Sequence, residues 1–189
     1  MSLLVILGIN GRQGRSVANA FLNEPGWRIR GLTRSPFCIA SEDWRAVGVE
    51  IVGVNPSDVD DLRTAFKDAT AIFIRTDYYS YVVDHSVHTL AYMTSKPLDD
   101  IASSQEIVYG REVLDAVAGV PELQRLIWST VRTANAPTRL GRAQIESQAA
   151  LKEYLGTCFP YLLGRTSFLY PCLRMEDYAT MLDRVSKHA

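Results

Sequence analysis

A chain of 189 residues with 20 basic and 21 acidic side chains has a formal net charge of −1, so it offers no surplus of positive charge to a nucleic acid or an anionic membrane. The apolar run near its start stops at Gly8, too short for a signal-peptide core or a membrane span. Cys38, Cys158 and Cys172 are odd in number and lack zinc-like pairing, which reads as free thiols in a reducing, cytoplasmic compartment. One domain over residues 1–189 is expected, since a chain of this size buries about 70% of its unfolded surface.

Residues 3–7 are an aliphatic run suited to a parallel strand buried on both faces. Gly8, Gly11 and Gly14 follow directly, and Val17, Ala18, Phe21 and Leu22 then recur at helical spacing. Strand, glycine turn and helix in that order aim backbone N–H groups and the positive end of a helix dipole at a phosphate. The three glycines serve the tight turn, the approach of a pyrophosphate and the packing of helix on strand.

A second strand is predicted over 27–33, ending beside Thr33 and Arg34. An acid there would bond a ribose 2′-hydroxyl and repel a 2′-phosphate. This chain offers Arg34 instead, with Arg12 and Arg15 in the glycine turn, and guanidinium groups favour NADP(H) over NAD(H). A short helix should end over 42–47, with a third strand at 49–54. Ser57 or Asp58 is expected to cap a helix carrying Val59, Leu62 and Phe66, before a fourth strand at 71–75. The alternation predicts an α/β fold of the Rossmann type: a doubly wound parallel sheet of about six strands with helices on both faces.

The stretch of about 77–104 interrupts this rhythm as an insertion, long for a βα connection. Its tyrosines, Tyr78, Tyr79 and Tyr81, are expected to form either a substrate wall or a partner surface. His85 and His88 share helical spacing, but no further ligand accompanies them, so a plain helix is expected and no metal site. Tyr92 and Lys96 match a Tyr-x-x-x-Lys spacing yet precede the fifth strand, where a catalytic pair would follow it. The remaining elements are predicted as a helix at 104–118, a strand at 126–129, a helix at 141–155, a sixth strand at 161–165 and a helical tail at 174–187. Ser129 and Thr130 should emerge at the carboxyl end of the fifth strand.

The strings Gly8-Ile-Asn-Gly-Arg-Gln-Gly14, Leu32-Thr-Arg-Ser35, Phe73-Ile-Arg-Thr-Asp77, Leu126-Ile-Trp-Ser-Thr130 and Gly164-Arg-Thr-Ser-Phe168 together resemble the NmrA-like branch of atypical short-chain dehydrogenases, which also holds isoflavone reductase-like enzymes. The resemblance implies a Rossmann fold with NADP(H) seated by Gly8, Asn10, Gly11, Arg12, Gln13, Gly14, Thr33, Arg34, Asn55 and Thr76. It places catalytic groups at Ser129, Thr130 and Gln148. The last stands where the family's reductases carry a lysine, and an amide cannot exchange a proton near neutral pH. Asn55 replaces the family's usual acid beside the adenine. The family usually continues well beyond Pro171, so a short form lacking most of the C-terminal substrate lobe is expected.

The function expected is therefore NADP(H) binding with weak or absent catalysis, as a redox sensor, regulator or complex partner. The alternative is an NADPH-dependent reductase, or a nicotinamide-assisted isomerase or cyclase, acting on a small secondary metabolite. Either way the partner is a small molecule or a protein, with no nucleic acid and no membrane. Self-association into a homo-oligomer would be one way to close the pocket.

Overall fold

Period-two alternation within short apolar runs builds a single sheet from β1 (Ser2–Leu7), β2 (Trp27–Thr33), β3 (Glu50–Gly53), β4 (Ala71–Arg75), β5 (Arg125–Ser129) and β6 (Thr166–Leu169). The computed structural model describes residues 1–55, 58–131 and 142–171. The strand order is β3-β2-β1-β4-β5-β6 and each neighbouring pair is parallel. The chain winds outward from β1 to β3, then returns to β4 and winds the other way. That reversal between β1 and β4 is the switch point at which an open α/β sheet leaves a crevice beyond its carboxyl ends.

Alternate residues of β1 go to opposite cores. Leu3, Val5 and Leu7 pack with Leu62 and Phe66 of α3 (Val59–Phe66), Val113 and Val117 of α6 (Leu98–Ala118), and Leu151 and Leu155 of α7 (Arg142–Cys158). Leu4 and Ile6 pack with Ala18 of α1 (Arg12–Phe21) and Trp44 of α2 (Ile39–Ala46) on the other face. Asp58 does cap α3, accepting from the N–H groups of Asp60 and Asp61 at 3.0 and 3.2 Å.

The residues between β4 and α6 fold as α4 (Tyr78–Val82) and α5 (His85–Thr94). Tyr78, Val87 and Ala91 join Ile101 and Ala102 in a small third core. For that reason α6 starts at Leu98 and not at the expected residue 104: Pro97 stands at its N-cap, Asp99 and Asp100 favour its first turn, and Ile101 and Ala102 are buried. His85 and His88 are exposed on α5, and the His88 ring bonds to the Val82 carbonyl at 2.8 Å. Among the described residues no cluster of His, Cys, Asp or Glu is suited to a metal ion. Tyr92 is 87% exposed on α5 and Lys96 lies beyond the helix end.

The sixth strand also sits later than expected. Pro160 opens a single helical turn, α8 (Pro160–Leu163), and buries Leu162, so the apolar run of residues 161–163 is helical. The strand follows as β6, with Leu169 opposite Ser129. The predicted tail at 174–187 and Cys172 lie outside the described residues. No helix among the described residues is long and apolar enough to cross a membrane.

Candidate functional site

A cleft of about 800 Å³ opens at the switch point, within the size range of small-ligand sites. One wall is the turn from β1 into α1. Gly8 adopts φ +80°, a left-handed conformation that favours glycine, and its carbonyl accepts from the Gly11 N–H at 3.0 Å. A Cβ on Gly14 would collide with the Gly8 carbonyl oxygen and come within 2.8 Å of the Ile9 Cα. The turn therefore fits tightly under α1, whose N-cap Gly11 supplies no side chain to the first helical N–H groups.

The turn is held from outside by Asn10. Its amide nitrogen donates to Ser41 Oγ at 2.9 Å, Thr33 Oγ1 at 3.2 Å and Cys38 Sγ at 3.4 Å, tying the turn to the end of β2 and the start of α2. The Ser41 hydroxyl donates onward to the Ser35 carbonyl at 2.9 Å. Hydrogen bonding to Ser41 holds the Cys38 thiol below its usual pKa. Two buried acceptors remain without a partner among the described residues, Asn10 Oδ1 and Gln13 Oε1. Buried acceptors of this kind call for a donor, such as a ribose hydroxyl. Cradle and orphaned acceptors together fit a dinucleotide.

Thr33 and Arg34 line the cleft at the end of β2, with Val54 just past β3. Arg12 is exposed at the head of α1 and is not among the cleft-lining residues. Asn55 is likewise exposed outside the lining, its backbone N–H donating to Asp61 Oδ2 at 3.1 Å. Of the three tyrosines, Tyr81 lines the cleft. Tyr79 is exposed, and Tyr78 is buried with its hydroxyl donating to Asp99 at 2.9 Å.

Thr76, Thr130 and Gln148 come together around a residue that sequence reading missed, and none of them is among the residues lining the cleft. Glu106 of α6 is fully buried. Its carboxylate accepts from Thr76 Oγ1 at 2.7 Å, from Gln148 Nε2 at 2.8 Å, and from Ser147 Oγ. Gln148 Nε2 also donates to Thr76 Oγ1 at 2.6 Å, while its Oε1 accepts from Thr130 Oγ1 at 2.8 Å. Burial pushes the Glu106 pKa up, against the pull of these three hydrogen bonds. Ser129 is buried beside Thr130 at the end of β5. The available signal was an acid in the buried stripe of α6, which runs through Ala102, Glu106, Gly110 and Val113. Lys152, one turn beyond Gln148, donates to the Val131 carbonyl at 2.7 Å, and burial pushes its pKa down.

The sheet order, switch-point cleft and glycine turn define a Rossmann-type dinucleotide fold. The sequence profile of the NmrA-like family matches residues 1–188, and the chain belongs to that family. Its relatives include the NmrA-like family domain-containing oxidoreductase ptmS of Penicillium ochrochloron, 28% identical over 131 residues, covering 68% of this chain and 34% of the relative. The matches span only 21% to 38% of the length of the first four such curated relatives. Among solved structures, the negative transcriptional regulator NmrA in complex with NAD superposes with a TM-score of 0.65 at 18% identity, over 89% of this chain and 44% of its own. The Escherichia coli NADPH-dependent quinone oxidoreductase QOR2 with bound NADPH gives 0.68 at 13% identity, over 98% of this chain and 54% of its own.

Proposed function

We propose that this chain binds NADP(H) in the switch-point cleft and acts as a redox sensor, regulator or complex partner, with weak or no catalysis of its own. The observation that carries the reading is a division between two sets of residues. The glycine cradle and Arg34 open onto the cleft, whereas Thr76, Thr130 and Gln148 are spent on one another and on Glu106. The regulator NmrA, which binds NAD, and the NADPH-binding QOR2 lend support by likeness of fold.

A nicotinamide cofactor, when bound, supplies or accepts a hydride. The chain's own residues have other work. The N–H groups around Gly11 and α1 meet phosphate, Gln13 Oε1 accepts from a ribose, and Arg34 meets the 2′-phosphate that distinguishes NADP(H).

Cofactor-titrated thermal unfolding tests the reading. NADPH at 100 times its dissociation constant should add about 2.7 kcal/mol, a rise in Tm of roughly 5–11 °C for a chain of this size. No shift with either NADPH or NADH would sink it. Arg34→Asp should weaken NADPH at least tenfold more than NADH; equal losses would show that Arg34 does not meet the 2′-phosphate.

A reductase is the second reading, and the position of Glu106 favours it. Its carboxylate lies 2.8 Å from Gln148 Nε2, so a lysine ammonium at position 148 would have a counter-ion in place. On this reading Gln148→Lys should raise NADPH oxidation with carbonyl or quinone acceptors by about 10²-fold or more. Unchanged turnover across such a panel would count against it.

A further inference from the structure

We propose that Tyr81 and Tyr109, both lining the cleft, complete with Arg34 a seat for the phosphate carried on the adenosine ribose, and so set the preference for NADP(H) over NAD(H). The inference rests on the reading of the cleft as a dinucleotide site and adds two residues to it from α4 and α6.

Both phenols line the cleft and are half-buried. Neither hydroxyl has a hydrogen-bond partner among the described residues, unlike those of Tyr78, Tyr154 and Tyr161, which bond to Asp99, Asp115 and the Ala118 carbonyl. Two cleft-wall hydroxyls left unused in this way are donors in want of an acceptor. All three groups line the same cleft, with Arg34 just past the end of β2, and Arg34 acts electrostatically on both phenols. Burial pushes both phenol pKa values up, Tyr109 to about 12, so each keeps its proton and remains a donor at neutral pH.

The surrounding charges leave Arg34 as the cation for the task. Arg75, the other arginine lining the cleft, is paired with Asp77 at 3.2 Å. Arg34 has no ion pair among the described residues. Glu112 lines the cleft near Tyr109 and opposes an anion, but burial and then Asp115 push its carboxyl pKa up and make its charge less firmly held. Asp84 lines the cleft too, with its carboxylate accepting from the N–H and hydroxyl of Ser86. A phosphate dianion accepting from one guanidinium and two phenols gains three charge-assisted hydrogen bonds, each stronger than its neutral counterpart.

The test titrates wild type, Tyr81→Phe and Tyr109→Phe with NADPH and NADH, and with adenosine 2′,5′-bisphosphate against 5′-AMP as minimal probes. Each substitution should weaken NADPH and the bisphosphate about tenfold while NADH and 5′-AMP change less than twofold. Because neither hydroxyl is bonded among the described residues, Tm without ligand should hardly move. Equal losses for both cofactors would assign the rings to packing against adenosine and overturn the inference, as would unchanged affinities. Wild type that binds NADPH without these selective losses defeats the seat alone; wild type that binds neither cofactor defeats the dinucleotide reading and the seat together.

Discussion

Glu106→Ala is expected to destabilise the fold by about 4 kcal/mol, because it removes the acceptor shared by three buried donors. Those donors are Thr76 Oγ1, Ser147 Oγ and Gln148 Nε2, which lie on β4's extension and on α7, while Glu106 itself is on α6. The loss corresponds to a fall in Tm of roughly 8–16 °C for a chain of this size. A fall of less than about 2 °C would mean that the hydroxyls and amide find other partners and that the network holds nothing together.

The same carboxyl gives stability a direction with pH. Its folded pKa is raised by burial, so the folded chain holds this proton more tightly than the unfolded chain does. The Glu106 contribution is therefore present in full below the ordinary glutamate pKa and is lost as pH rises through the raised folded value. Glu106→Gln removes the titration while keeping the shape. Across that window the variant's stability should fall less with rising pH than the wild type's. Parallel pH profiles for the two proteins would mean that Glu106 does not titrate differently on folding.

Gly14→Ala is expected to cost about 3 kcal/mol and to weaken NADPH by more than tenfold. The added Cβ meets backbone, the Gly8 carbonyl oxygen and the Ile9 Cα, and backbone cannot rotate aside as a side chain can. The turn must move, and with it the N–H groups that face the cleft. Gly119→Ala is the matched control: its Cβ would meet nothing closer than the Ala116 carbonyl at 3.5 Å, an ordinary contact. If Gly14→Ala binds NADPH as wild type does, the close approach of α1 to the turn is not what seats the cofactor.

Local chemistry carried much of the fold into the sequence. Residues 3–7 read as a buried strand, because the aliphatic run is short and the glycines that follow cut it off. Asp58 announced its helix by the bonds a carboxylate makes to free N–H groups. Where local signals competed, reading failed: the short apolar run of residues 161–163 suits a strand or a helical turn equally, and Pro160 decided for the turn. The start of α6 was hidden because Ile101 and Ala102 find their apolar partners in α4 and α5, which the sequence could not bring to them.

By itself, then, the sequence determined the parallel α/β sheet, the glycine turn and an arginine at the end of the second strand, because strand runs, glycines and charges act over a few residues. Tertiary structure alone decided how the polar residues are divided. Glu106 lies far along the chain from Thr76 and Gln148, and only the packing of α6 against α7 beside β4 sets its carboxylate between them. Packing likewise turned Tyr78 into the interior and Tyr81 toward the cleft, although both belong to one short helix. A side chain's use depends on what stands opposite it, and that neighbour is chosen by the fold.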